Sequence, residues 1–202
     1  MRELEQMATV STINPDETNY IETLFEFLHV DRLDLGNEVR AAAVEYGELS
    51  LEEHQILALS IVQELLDNHV VVVQRVADND FLDDRGWYTP NTNDFLEYLR
   101  SFYAATKDYD ELWDKSDYFF ECVDPRIKVI VDNHRFFTEN LQLQFPDKTL
   151  SSVIEYEKLK LRQYLKIAQM DKFSNELLLA RKHLEEILIP SWKSLITRNY
   201  DK

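Results

Sequence analysis

The stretch "SLEEHQILALSIVQELLDNHVVVVQRVA", residues 50–77, carries the strongest structural signals in the chain. Ser50, followed three residues later by Glu53, forms a capping box, which is typical of a helix N-terminus. Behind this cap the apolar residues fall nearly all round the predicted helix: Ile56, Leu57, Leu59, Ile61, Val62, Leu65 and Leu66. A helix that is apolar on most sides is expected to lie buried at the centre of the fold.

The end of the same stretch, residues 69–77, is ambiguous between helix and strand. Its four consecutive valines favour a strand by propensity. No partner strand is recognisable nearby, and an isolated strand leaves its backbone groups unpaired. We therefore expect the helix to continue through these residues, with a strand as the alternative.

Signals for helix starts recur along the rest of the chain. They combine capping residues with prolines or acidic first turns, and they occur at Asn14, Asn91 or Thr92, Asp108, Asp124, Thr149 or Ser151, and Ser174. No internal repeat and no flexible linker divides the chain. This pattern predicts an all-α fold, an irregular bundle of about seven helices that forms a single compact domain over residues 1–202. The alternative is a subdivision into residues 1–123, an acidic part, and residues 124–202, a mildly basic part.

Charge is distributed unevenly along the chain, whose net charge is −16. Residues 1–124 carry 28 acidic and 8 basic side chains, whereas residues 125–202 carry 10 acidic and 14 basic ones. Nucleic acid is a poor direct partner for such a protein, because its phosphates would be repelled. A basic protein surface is the expected partner. The alternative is that the two parts of the chain neutralise each other by packing together.

Composition disfavours several functional classes. Cys122 is the only cysteine, so that neither an intrachain disulfide nor a cysteine-rich zinc site can form. The N-terminal sequence lacks the apolar core of a signal peptide, and the longest uncharged apolar run is far shorter than the roughly 20 residues that cross a bilayer. Motifs for a nucleophilic serine or a phosphate-binding loop are missing. We expect a cytoplasmic, non-enzymatic protein with no cofactor and no membrane contact, and the sequence leaves its oligomeric state open.

The stretch "DYDELWDKSDYFFE", residues 108–121, contains the most specific binding signal. If it is helical, Asp110, Asp114, Asp117 and Glu121 fall at steps of four, three and four and form one acidic stripe. Like charges at this spacing cost about 0.2–0.5 kcal/mol per pair, which suggests another benefit, such as docking a cationic partner or mimicking the phosphates of a nucleic acid. The alternative is that basic side chains of the C-terminal part cover the stripe: Lys158, Lys160, Arg162 and Lys166.

Aromatic residues near this stripe could anchor a partner. Trp113 and Tyr109 lie within the acidic stretch, and Trp87 and Tyr88 lie in the long connector between residues 77 and 91. The connector is rich in aspartate, but it does not match the calcium-binding loop of an EF-hand. Our hypothesis is that Trp87 and Tyr88 join the acidic binding surface, and the alternative is that they fold back on the core.

An alternative function is a dimetal-carboxylate enzyme. Its candidate ligands are Glu22, Glu26 and His29 on the first helix, and Glu176 and His183 on the last one. Helical dimetal sites use a pair of Glu-x-x-His motifs, of which this chain has one. We therefore favour a non-enzymatic acidic protein of the inhibitor, immunity or decoy type that docks a basic surface of a partner. A dimetal oxidase or oxygenase and a structural subunit of a larger assembly remain the alternatives.

Overall fold

The computed structural model describes residues 20–30, 33–75, 91–112 and 118–188. Its helices are α1 (Tyr20–Val30), α2 (Asn37–Glu45), α3 (Leu51–Asp67), α4 (Thr92–Ala105), α5 (Arg126–Asp132), α6 (His134–Glu139), α7 (Leu150–Ala168) and α8 (Ser174–His183). A 3₁₀ turn (Asp171–Phe173) precedes α8, and a π-helical turn (Leu184–Leu188) follows it. The strands are β1 (Leu33–Asp34), β2 (Val71–Arg75) and β3 (Tyr118–Cys122). The prediction of a mostly helical chain is confirmed, with eight α-helices in these ranges and a small sheet in addition.

Helix α3 follows the predicted pattern closely. The Ser50 hydroxyl accepts the Glu53 amide at 3.3 Å, and the Glu53 carboxylate accepts the Ser50 amide at 2.8 Å, which completes the capping box. The apolar side chains that α3 buries include Leu57, Ala58, Ile61, Val62 and Leu65. Helices α2, α4 and α7 all contact α3, so that its burial is shared between three neighbours.

Residues 71–75 form a strand, and the predicted continuation of the helix through residues 69–77 is therefore wrong. Helix α3 ends at Asn68, and His69 adopts φ 55, which turns the chain away from the helix axis. Strand β2 then pairs antiparallel with β3, with Val73 opposite Phe120. The partner strand lies more than 40 residues away in sequence, so it could not be recognised locally.

The predicted helix over residues 108–121 is also wrong in both of its described parts, since residues 108–112 form a turn. Residues 118–122 form β3, the central strand of the sheet, which is ordered β1-β3-β2. Glu121 is buried there, and its carboxylate accepts the Gln74 side-chain amide at 3.0 Å. Because β3 is a strand, Glu121 does not lie on a helical stripe with Asp110, and Asp114 and Asp117 lie outside the described residues.

None of the helices in the described ranges is both long and apolar enough to cross a lipid bilayer.

Candidate functional site

A turn at residues 107–112, which we call the acidic turn, follows α4 and is fixed by its own side chains. One oxygen of the Asp108 carboxylate accepts the amides of Asp110 and Glu111, each at 2.9 Å. The Lys107 amide donates to the Glu111 carboxylate at 2.8 Å. Two carboxylates are therefore used to hold the backbone of the turn, while the Asp110 side chain stays exposed.

Tyr109 ties the acidic turn to α2 and α3. Nε2 of the buried His54 donates to the Tyr46 carbonyl at 2.8 Å, and Nδ1 is hydrogen-bonded to the Tyr109 hydroxyl, 2.7 Å away. The Arg40 guanidinium donates to the Tyr109 carbonyl at 2.6 Å. Tyr109, which the sequence suggested as an apolar anchor for a partner, is instead an internal anchor of the turn through its polar atoms.

Close packing against Gly36 fixes the other end of the acidic turn. Gly36 has φ 123, and a Cβ added to it would lie 2.8 Å from Cβ of Leu112. Its amide donates to the buried Glu38 at 3.0 Å, and the Tyr103 hydroxyl donates to the other oxygen of that carboxylate. Only glycine accommodates both this backbone conformation and this approach, so the position of Leu112 depends on Gly36.

The contact between His54 and Tyr109 places the acidic turn next to the start of α3. We use the name acidic end for the carboxylates of these two neighbouring segments: Glu48, Glu52, Glu53, Asp108, Asp110 and Glu111. Lys148 binds Glu48 at 3.2 Å. Within the described part of the chain, the exposed Glu52 and Asp110 have no ion-pair partner. Negative charge at the acidic end therefore reaches solvent.

Local hydrogen bonds stabilise the ionised forms of two of these carboxylates. The amide and hydroxyl of Ser50 lower the pKa of Glu53, and the backbone of Glu48 together with Lys148 lowers the pKa of Glu48. Glu52 and Glu53 also lie in the first turn of α3, where the helix dipole favours negative charge. The acidic end can therefore remain charged without disrupting the helix that carries it.

The residues predicted to bind a partner lie in different parts of the structure or outside its described ranges. Asp110 lies at the acidic end, whereas Glu121 is buried in the sheet. The other predicted residues lie outside the described ranges: Asp114, Asp117, Trp113, Trp87 and Tyr88. Sequence reasoning missed Glu48 and Glu52 as members of the site, because the acidic start of α3 was interpreted only as a capping signal.

Basic side chains of the C-terminal part neutralise acidic residues of the N-terminal part both at the acidic end, where Lys148 binds Glu48, and away from it. Lys160 lies 3.5 Å from Glu22, and Arg162 lies 2.5 Å from Glu64. Neither of these pairs involves Asp110. In these pairs the two parts of the chain neutralise each other, as the alternative interpretation of the charge distribution expected, at Glu22 on α1 and at Glu64 on α3.

The five candidate metal ligands do not form one site. Glu22 accepts the Tyr164 hydroxyl and pairs with Lys160, because it points into the core. Glu26 is exposed, and Glu176 accepts the Asn133 side-chain amide at 2.7 Å. His29 and His183 do line a common cavity, but no cluster of three metal-ligating side chains occurs among the described residues. We therefore assign no metal ligand in this part of the chain.

A buried ionic cluster, formed by Glu22, Glu157, Lys160, Tyr46 and Tyr164, occupies the core between α1, α2 and α7. Nζ of the fully buried Lys160 lies 3.0 Å from Glu157 and 3.5 Å from Glu22. The Tyr46 hydroxyl donates to Glu157, and the Tyr164 hydroxyl donates to Glu22. Burial lowers the pKa of Lys160, but the two carboxylates raise it above its ordinary value, so the lysine is charged.

Sequence reasoning missed this cluster. Glu157 and Lys160 are three residues apart on α7, a spacing that usually marks an exposed helical ion pair.

Comparisons of the chain with protein-family models, with curated proteins and with solved structures found no match. The roles of the acidic end and of the buried ionic cluster are therefore inferred from their own side chains.

Replacing Tyr109 by phenylalanine tests how the acidic turn is held. The variant keeps the ring but removes the hydroxyl next to His54, so we expect a loss of about 1–2 kcal/mol in the free energy of unfolding. Amide hydrogen exchange should become faster in residues 107–112 and remain unchanged in α7. Unchanged exchange in the acidic turn would contradict the anchoring role of Tyr109.

Proposed function

We propose that the protein is a non-enzymatic acidic binding protein, of the inhibitor, immunity or decoy type, whose acidic end docks a basic surface of a partner protein. The observation that carries this proposal is the fixed acidic turn, which His54 and Arg40 hold against α2 and α3. Exposed carboxylates on a rigid frame attract a cationic partner without a large loss of conformational entropy on binding.

Exposed apolar residues on α2 and α3, the two helices that hold the acidic turn, support the same proposal. Val44, near the end of α2, is 87% exposed, and Ile56, one helical turn after Glu52, is 41% exposed. Charge complementarity mainly accelerates encounter and selects the partner, whereas buried apolar area supplies much of the affinity. We add Val44 and Ile56 to the apolar part of the proposed binding surface, while Trp113, Trp87 and Tyr88 lie outside the described residues and remain predictions.

We also propose that the chain acts as one domain rather than as two separable parts. Three ion pairs support this interpretation by joining residues 124–202 to residues 1–123: Lys160 with Glu22, Arg162 with Glu64, and Lys148 with Glu48. The first of these pairs is buried, so separating the parts would expose an ionic cluster that the core now satisfies.

The proposed binding surface can be tested with two matched pairs of charge reversals. Glu52→Lys with Asp110→Lys changes the acidic end at exposed side chains that make no described hydrogen bond. Glu155→Lys with Asp171→Lys makes the same change in net charge at exposed positions on α7 and the 3₁₀ turn. Each tagged protein is used to capture partners from an extract of the source organism, and the captured proteins are eluted with increasing salt.

We expect the wild type and the α7 control pair to capture the same basic protein, and the acidic-end pair to lose it. With that partner purified, the association rate should fall by about 10-fold or more in the acidic-end pair at low ionic strength. The control pair should stay within about twofold of the wild type. Equal capture and equal association rates for both pairs would refute docking through the acidic end, provided that all proteins unfold at similar urea concentrations.

A further inference from the structure

Two histidines from distant parts of the chain line one small cavity. The cavity has a volume of about 20 Å³ and lies between α1, α5 and the end of α8. Its lining includes His29, His183 and Lys128, together with the apolar side chains of Leu28 and Leu184. A space of this size is comparable to that occupied by one water molecule. Both histidines are only partly buried, so protons from solvent can reach both rings. We call this feature the histidine cavity.

Helix α8 depends on this region for the attachment of its C-terminal half. Ala180 is the buried residue of α8, and Leu184 follows as the next buried one. At the other end, Phe173 is fully buried and stacks on Phe137 with ring centroids 5.2 Å apart. Among the described residues, the helix is anchored by Phe173 before its first residue and by Ala180 and Leu184 towards its end, an arrangement that favours local opening of the C-terminal half.

The charges around the histidine cavity disfavour a protonated His29 in the closed state. His29 faces Lys128 and Asp132 on α5 and His183 on α8. The Asp132 carboxylate is engaged by Lys128 at 2.7 Å. Asp124, which also lines the cavity, is held by the Arg126 guanidinium at 2.5 Å. The nearby carboxylates are thus already paired with other cations.

Burial and these neighbours together hold the pKa of His29 below its ordinary value. Burial lowers the pKa of His29, Lys128 and His183 lower it further, and Asp132 opposes them. When α8 separates from α1 and α5, which defines the open state, the pKa of His29 returns towards its ordinary value. The open state therefore binds more protons than the closed state. Opening is therefore favoured as the pH falls through the range in which histidine titrates.

We propose that the histidine cavity is an acid-sensitive latch: protonation of His29, which shares the cavity with His183 of α8, releases the C-terminal half of α8, while Phe173 keeps its N-terminal end attached. Release uncovers the apolar wall formed by Leu28 and Ile127. This switch is independent of the acidic end and does not rest on the proposed docking function.

Hydrogen exchange of the full chain tests the latch. Exchange in peptides from α8 is compared with exchange in α3 from about pH 7.5 to about pH 5.5, after correction for the intrinsic pH dependence. In the wild type we expect opening of α8 to increase by about fivefold relative to α3 at the lower pH. His29→Gln with His183→Gln should remove this pH dependence. The control, His69→Asn with His134→Gln, removes two histidines that do not line the cavity and should retain it.

Three outcomes overturn the proposal. The wild type could show no change in α8 relative to α3, or the double cavity variant could keep the same pH dependence. The third outcome is a parallel increase in α3 and α8, which indicates global unfolding by acid instead of local release. If the cavity variant is less stable, comparison with α3 in the same sample still separates local from global opening.

Discussion

Replacing Lys160 by methionine lowers the free energy of unfolding by about 3–5 kcal/mol near neutral pH. The substitution leaves Glu22 and Glu157 in the core without the ammonium group that lies within 3.5 Å of each. The tyrosine hydroxyls that bind these carboxylates cannot replace a positive charge. Urea unfolding measures the loss, and Lys166→Met, at an exposed position on the same helix, is the control that should change stability by less than about 0.5 kcal/mol.

The loss in the free energy of unfolding caused by Lys160→Met should become smaller at acidic pH. Burial raises the pKa of Glu157 and Lys160 lowers it, so removing the lysine raises it further. A carboxyl with a raised pKa binds more protons in the folded state than in the unfolded state, and its contribution to stability grows as the pH falls. A deficit below about 1 kcal/mol, or one independent of pH, would contradict the assignment of Lys160 as the counter-charge.

If Lys160→Met does not fold near neutral pH, a compensated variant keeps the prediction testable. Glu22→Gln and Glu157→Gln, combined with Lys160→Met, remove all three charges while nearly preserving side-chain volume. Replacing a complete buried ion cluster is much less disruptive than breaking it. The triple variant should therefore be more stable than Lys160→Met alone, and the reverse order would show that charge compensation is not what stabilises this part of the core.

Glu38 makes the protein less stable as the pH rises, by about 3 kcal/mol between about pH 4 and about pH 8. Burial raises the pKa of Glu38 to about 7, although hydrogen bonds from Tyr103 and the local backbone oppose the shift. The folded state thus binds more protons than the unfolded state above pH 4.5, the ordinary pKa for this group. The contribution to stability is complete below that pH and is lost as the pH rises through about 7.

Comparison with Glu38→Gln isolates this contribution. The amide cannot ionise, so the difference in unfolding free energy between the variant and the wild type should move in favour of the variant as the pH increases. Glu26→Gln, at an exposed position on α1, serves as the control and should follow the wild-type curve. A constant difference between Glu38→Gln and the wild type across this pH range would contradict the raised pKa of Glu38.

Sequence by itself determined the local structure that short-range hydrogen bonds specify. The predicted caps of α3, α4 and α7 are present, since Ser50, Asn91 and Thr149 each accept an amide two or three residues further along the chain. The apolar pattern of α3 likewise predicted the burial of Leu57, Ile61, Val62 and Leu65, although Ile56 of the same set is 41% exposed. These features could be predicted because both partners lie within a few residues of each other, or because they repeat with the helical period.

Tertiary structure alone decided the sheet and both charged regions. The valines of β2 became a strand because β3 supplies hydrogen-bond partners from a distant part of the chain. The same strand pairing buries Glu121 beside Gln74, so Glu121 does not belong to the predicted stripe. The contacts of Tyr109 with Arg40 and His54 place the acidic turn next to α2 and α3. Lys160 entered the core because two carboxylates from different helices compensate its charge there. Periodicity describes one helix or strand at a time, whereas these arrangements depend on which elements meet in space.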